Sequence, residues 1–229
     1  MNSNKALSRI AGSLYLIVIV GMIFGEFFVR GKLIVWGDAA ATTQNILAFE
    51  DLFRLGFVID LIAEACALLL VLALYQLLKS VNKFYAMVMV SCVVVTVAIK
   101  SLNMLNEYAA MLLLKGSTGY LSVLSTDQLN AQVLFFMNMH STGFDIASVY
   151  YSLWLLPLGY LIYKSGSGAF SRFLGVWLII SFIALFINFA MRFLYPGFYR
   201  DTIFWISGVI DSSEIALCFW LLFKGINVK

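Results

Sequence analysis

The chain has 229 residues, of which 62% are apolar and only 12% charged, with a formal net charge of +3. A soluble domain is ordinarily about one-quarter charged, so these side chains cannot clothe a polar surface. The composition excludes a soluble domain, a disordered chain and a nucleic-acid binder, and leaves an integral membrane protein with the lipid bilayer as its first partner.

Six stretches reach the roughly 20 apolar residues that a span requires: 10–29, 52–78, 84–114, 141–163, 173–194 and 203–223. With only two prolines, Pro157 and Pro196, such runs read as helices and not as the alternating strands of a barrel. The expected fold is therefore all-α, six spans in one domain, arranged as in-out-in hairpins over residues 10–78, 84–163 and 173–223.

The first span has a basic flank but is longer than a leader's apolar region, and no small-residue cleavage site follows it, so it reads as retained. Between the first two spans, Asp38 can cap a short helix with Ile46, Phe49 and Phe53 on one face. Before the fourth span, Ser125 and Gln128 form a capping-box pattern, so residues 126–140 read either as an interfacial helix or as an extension of that span. Cys66, Cys92 and Cys218 lie in apolar stretches without metal-site spacing and read as small buried hydrophobes.

Orientation follows the loop cations. Lys5, Arg9, Lys79, Lys83, Lys164, Arg172, Lys224 and Lys229 fall on one side, and Arg30, Lys32, Lys115 and Arg200 on the other. The richer side is the cytoplasmic one, so both termini are expected inside.

The outer hairpins look alike. Ser8-Arg9-Ile10-Ala11-Gly12 opens the first span and Ser171-Arg172-Phe173-Leu174-Gly175 the fifth. Val58-Ile59-Asp60 precedes Glu64, as Val209-Ile210-Asp211 precedes Glu214. The middle hairpin fits this pattern more weakly, through Gly143-Phe144-Asp145.

The stretch 8–16, the run Asn45-Ile46-Leu47-Ala48 leading into Arg54-Leu55-Gly56, Asp60 two turns on, and Leu74-Tyr75 before Lys79 resemble the DUF4386 family, small multi-spanning membrane proteins of unknown function. The resemblance covers nearly the whole chain. It implies a helical membrane fold in a bacterial or archaeal cell membrane and makes Arg54 and Asp60 part of a family pattern. It implies no activity.

Ionisable side chains within a span cost about 3 kcal/mol each even on lenient insertion scales, so they mark sites. Asp60 and Glu64 share a helical face at i, i+4, as do Asn188 and Arg192. Lys100, Asn103 and Glu107 share one at i, i+3, i+7, and Asp211 and Glu214 one at i, i+3. These faces cannot all meet lipid. They are expected to converge on a polar pocket, with Asp60, Glu64, Asp145, Asp211, Glu214 and Lys100 as ligand-binding residues and Arg54, Arg192 and Glu107 as structural ion-pair partners. Glu26 belongs to the same acidic excess. His140, the only histidine, reads as a satisfied interfacial residue, and no metal or other cofactor is expected.

Ser-x-x-Lys, Gly-x-Ser-x-Gly, His-Glu-x-x-His and phosphate-loop patterns are absent. Three readings stay open. One is a small binding or transport protein for a cationic or proton-coupled solute. Another is a non-catalytic membrane partner or sensor. The third is a membrane-embedded enzyme acting on lipid at the outer leaflet. Protein partners are not legible in the sequence.

Overall fold

The computed structural model describes residues 2–115, 119–166, 168–195 and 212–226. Among them all regular structure is helical. Helix α1 (Asn2–Ile23) runs on through a π-helical segment, Phe24–Arg30, and a last turn, Gly31–Leu33. Then follow α2 (Ala39–Ala48), α3 (Glu50–Leu78), α4 (Lys83–Leu113), a 3-10 segment (Gly119–Val123), α5 (Thr126–Lys164), α6 (Ala169–Leu194) and α7 (Ser212–Phe223).

Among the described residues five stretches are long and apolar enough to cross a membrane: Asn4–Leu33, Glu50–Leu78, Lys83–Leu113, Thr126–Lys164 and Ala169–Leu194. The expected sixth span is described only as the shorter apolar helix α7, because its first part, 203–211, lies outside the described residues. The capping box at Ser125 is formed: the Ser125 amide donates to Gln128 Oε1 at 2.8 Å, and the Gln128 amide to Ser125 Oγ at 3.3 Å. The helix it opens continues unbroken to Lys164, so residues 126–140 extend the fourth span.

Contacts divide the chain into two compact units that share the long helices. Unit 1 comprises Met1–Ile19, Ala65–Val97 and Asp145–Lys229. Its core includes Tyr15, Leu74, Leu155, Leu158, Leu178 and Leu221, all essentially inaccessible. Bare backbones let α5 and α6 approach closely, since a Cβ on Gly159 would lie 2.6 Å from the Gly175 carbonyl, and one on Gly175 would lie 2.6 Å from the Gly159 carbonyl. Small residues allow such backbone contact where lipid removes the hydrophobic drive between helices. The Ile226 amide donates to Ser8 Oγ at 3.0 Å, and the Cys218 thiol donates to the Gly12 carbonyl at 3.4 Å. Both ends of the described chain therefore meet at one end of unit 1. Gly225, at φ +75°, makes the left-handed turn that ends α7.

Unit 2 comprises Val20–Glu64 and Ala98–Phe144. Its core holds Val29, Leu33, Ile46, Phe53, Ala110 and Met137. Asp38 Oδ1 caps α2 by accepting from the Ala41 amide at 2.9 Å. Thr42 Oγ1 bonds both the amide and the carbonyl of Val35, and the Asn45 side chain donates through Nδ2 to the Leu33 carbonyl. These bonds clamp the short helix back onto the end of the first one. Ile46 and Phe53 are buried as expected, but Phe49 turns outward, where Lys32 Nζ lies 4.2 Å from its ring centre.

Gly175→Ala forces backbone apart at the α5–α6 crossing. Overpacking of this kind costs about 1–3 kcal/mol. Thermal unfolding in detergent checks this, with Val176→Ala, at an exposed neighbouring position, leaving the melting temperature almost unchanged.

Candidate functional site: a buried charge network

The network begins with Arg30. π-Helical segments are rare and recur at functional sites. Here the segment ends with the Gly31 amide bonded to the Glu26 carbonyl, five residues back. Its last residue, Arg30, is 8% exposed. Its guanidinium donates to Asp60 Oδ2 at 2.6 Å and to Glu26 Oε2 at 3.1 Å, and stands 3.7 Å from Glu107 Oε2. Gly25 makes room for this, since a Cβ there would lie 2.5 Å from Asp60 Oδ1 and 2.7 Å from the guanidinium.

Glu107 is fully buried, and His140, at 2% exposure, faces it across 3.5 Å from Nε2 to Oε2. Neither Glu107 oxygen and neither His140 ring nitrogen has a hydrogen-bond partner. One turn away Lys100 Nζ meets Glu64 Oε1 at 3.1 Å. Asn103 fastens α4 to α5 by donating to the His140 carbonyl at 2.7 Å, and its own oxygen accepts from Asn106 at 2.9 Å. Gly143 is needed opposite, because a Cβ would overlap the Asn103 amide. Phe144 completes the cluster, with Lys100 at 5.1 Å and Arg30 at 5.7 Å from its ring centre and the His140 ring at 4.9 Å.

All of these residues belong to unit 2. Its buried ionisable groups are three carboxylates, Asp60, Glu64 and Glu107, against two basic side chains, Arg30 and Lys100, plus one imidazole. Glu26 touches the network from outside, with 68% of its side chain exposed.

The other expected site residues lie elsewhere. Asp145 pairs with Arg192 at 2.7 Å in unit 1, both partly exposed. Glu214, also in unit 1, accepts from the Tyr151 hydroxyl, and Ser181 bonds Ser213 at 2.8 Å beside it in sequence. Asp211 lies outside the described residues. Of the five acids expected as ligand-binding residues, Asp60 and Glu64 belong to unit 2, Asp145 and Glu214 to unit 1, and Asp211 lies outside the described residues. Arg54 pairs with Glu50 at 2.5 Å, and both side chains are about two-fifths exposed. The surface cleft lined by Leu47, Ala48, Phe49, Glu50, Asp51 and Leu52 contains none of the network's side chains.

Two residues depart from the sequence reading. His140 is not a satisfied interfacial histidine but a buried one without hydrogen bonds at its ring. Arg30 is not a loop cation. Its signal was present in the sequence, since Glu26 stands four residues before it and the apolar run Phe27-Phe28-Val29 leads straight into it.

Removing one partner of a buried ion pair costs about 3–5 kcal/mol, because the other charge stays behind unpaired. Arg30→Gln should show a loss of that order in reversible unfolding. Adding Asp60→Asn should recover part of it, and a strictly additive double mutant would deny the coupling.

No curated protein and no solved structure matches the chain. A family profile, described as Domain of unknown function (DUF4386), matches residues 10–225, nearly the whole length. This multi-helical chain, with its charge network set among apolar helices, belongs to the DUF4386 family.

Proposed function

We propose that the protein is a multi-pass cell-membrane protein that binds or transports a proton-coupled or cationic solute, with the network of unit 2 as its centre. One observation carries this reading: three buried carboxylates face two buried basic side chains. A surplus carboxylate in an apolar setting must take up a cation, whether a proton or a solute. The resident cations already hold Asp60 and Glu64, which leaves Glu107 as the group with capacity. Proton coupling is therefore favoured over a purely cationic solute.

Six spans with both termini cytoplasmic fit this reading. The meeting of Ser8 with Ile226 supports an even number of crossings. Burial of Arg30 also takes one cation from the poorer side of the loop count, which sharpens the bias. The assignment to a prokaryotic membrane rests on the family resemblance. Reporter fusions after Lys83 and after Arg172 should read cytoplasm, and fusions within 36–50 and 115–125 should read outside. A reversal at any of them refutes the orientation.

Function is tested in proteoliposomes with a pH-sensitive dye trapped inside, under imposed gradients of sodium, potassium and tetramethylammonium. At least one gradient should drive proton movement that Glu107→Gln abolishes and Arg54→Ala leaves intact. Dye responses no larger than in protein-free vesicles for all three cations would overturn the transport reading.

A further inference from the structure

We propose that Glu107 and His140 together hold a single exchangeable proton, and that this proton sets the grip on Arg30 and so the form of the Phe24–Arg30 segment. The inference rests on reading the unit 2 network as the functional centre, and it names the ligand as a proton.

The geometry selects a proton over a metal ion. Among the described residues no group of three or more histidines, cysteines or carboxylates could hold a metal. A carboxylate and an imidazole facing each other at 3.5 Å, each without another hydrogen bond, are instead a natural donor–acceptor pair for one proton. The only histidine of the chain is the imidazole in question.

The groups that face this pair are Arg30 and Glu26 from the end of the first helix, Asp60 and Glu64 from α3, and Lys100 with the neutral Asn103 and Asn106 from α4. With Glu107 ionised and His140 neutral, the buried part of this set carries one negative charge, and Glu107 draws on Arg30. One added proton brings that part to neutrality. If the proton rests on Glu107, the carboxyl no longer attracts the guanidinium. If it rests on His140, the imidazolium competes with Arg30 for the same oxygen, Oε2, which both already face. Either placement weakens the hold on Arg30 and leaves it to Asp60 and Glu26.

Arg30 is the last residue of the π-helical segment. Such segments carry an extra residue per turn and persist only where contacts favour them. Relaxation to α-helical bonding would turn Arg30 by about 100° about the axis, one residue's share of a 3.6-residue turn. Gly25, which holds space for the guanidinium against Asp60, would lose that role. The proton is thereby converted into movement of an arginine on a membrane helix.

The test uses the full chain in lipid nanodiscs with 15N-labelled histidine, which yields one imidazole. Its two nitrogen shifts should pass through one pH-dependent step, to imidazolium if the proton rests on His140, or to a neutral ring hydrogen-bonded to the carboxyl if it rests on Glu107. Amide exchange in residues 24–30, corrected for its intrinsic pH dependence, should change several-fold with the same midpoint. Glu107→Gln should uncouple the two, leaving exchange in that segment indifferent to the imidazole's state. If that variant does not fold, the wild-type titrations decide alone. Imidazole shifts that do not change with pH, or a segment whose exchange ignores their transition, overturns the proposal. An intact, coupled titration without cation-driven proton movement in vesicles removes the transport reading and leaves the proton site standing.

Discussion

The contact of Arg30 with Asp60, at 2.6 Å among side chains less than one-tenth exposed, is the constraint that organises unit 2. A lone ion in an apolar medium would be driven out or neutralised. The pair stays because each partner answers the other's charge, and because the backbone has been shaped to let them meet. The π-helical segment delivers the guanidinium inward, and Gly25 removes the one Cβ that would stand in its way. The remaining groups then have little choice of position. Glu107 lies 3.7 Å from the same guanidinium nitrogen that donates to Asp60, His140 faces Glu107, and Phe144 presents its ring to both basic side chains.

The apolar helical class, the ends of α3, α4 and α6 to within a few residues, and the caps at Asp38 and Ser125 were legible in the sequence, because each rests on a local signal. Twenty apolar residues, an Asp before a short amphipathic helix and a Ser–Gln pair at i, i+3 act within one or two turns. That Asp60 and Glu64 share one face, and Lys100, Asn103 and Glu107 another, was legible too, because each set lies within one helix at helical spacing. What could not be read was which faces meet. Spacing alone sets Asp60–Glu64 and Asp211–Glu214 on equivalent footing, yet Glu214 finds the Tyr151 hydroxyl while Asp60 finds Arg30. Helical phase also fails where the helix is not α. Arg30 stands one residue past the apolar run 10–29, where it reads as a loop cation. The π-helical turns carry it back into the interior.

The two units fasten their helices by different means. Unit 1 uses backbone contact at Gly159 and Gly175, a buried Ser181–Ser213 bond and the tie from Ile226 to Ser8. Its Asp145–Arg192 pair is one acid with one base, and partly exposed. Its one buried carboxylate among the described residues, Glu214, accepts from the Tyr151 hydroxyl. Unit 2 instead buries six ionisable side chains, Arg30, Asp60, Glu64, Lys100, Glu107 and His140.

Stability alone does not account for that choice. Buried ion pairs seldom outperform well-packed apolar residues of the same volume, and the neighbouring unit holds together largely without them. A purely structural strut would also be balanced, with one cation for each carboxylate and every polar atom satisfied. Arg30 with Asp60, and Lys100 with Glu64, meet that description. Glu107 and His140 do not. They add one carboxylate and one imidazole to a network already neutral without them, and they leave their side-chain oxygens and ring nitrogens without hydrogen bonds. An unsatisfied buried polar group costs about 1–3 kcal/mol, so the pair weakens the fold in the state described. A group that is costly in one protonation state and relieved in another is how a protein binds a proton, and the guanidinium 3.7 Å away is placed to register the difference.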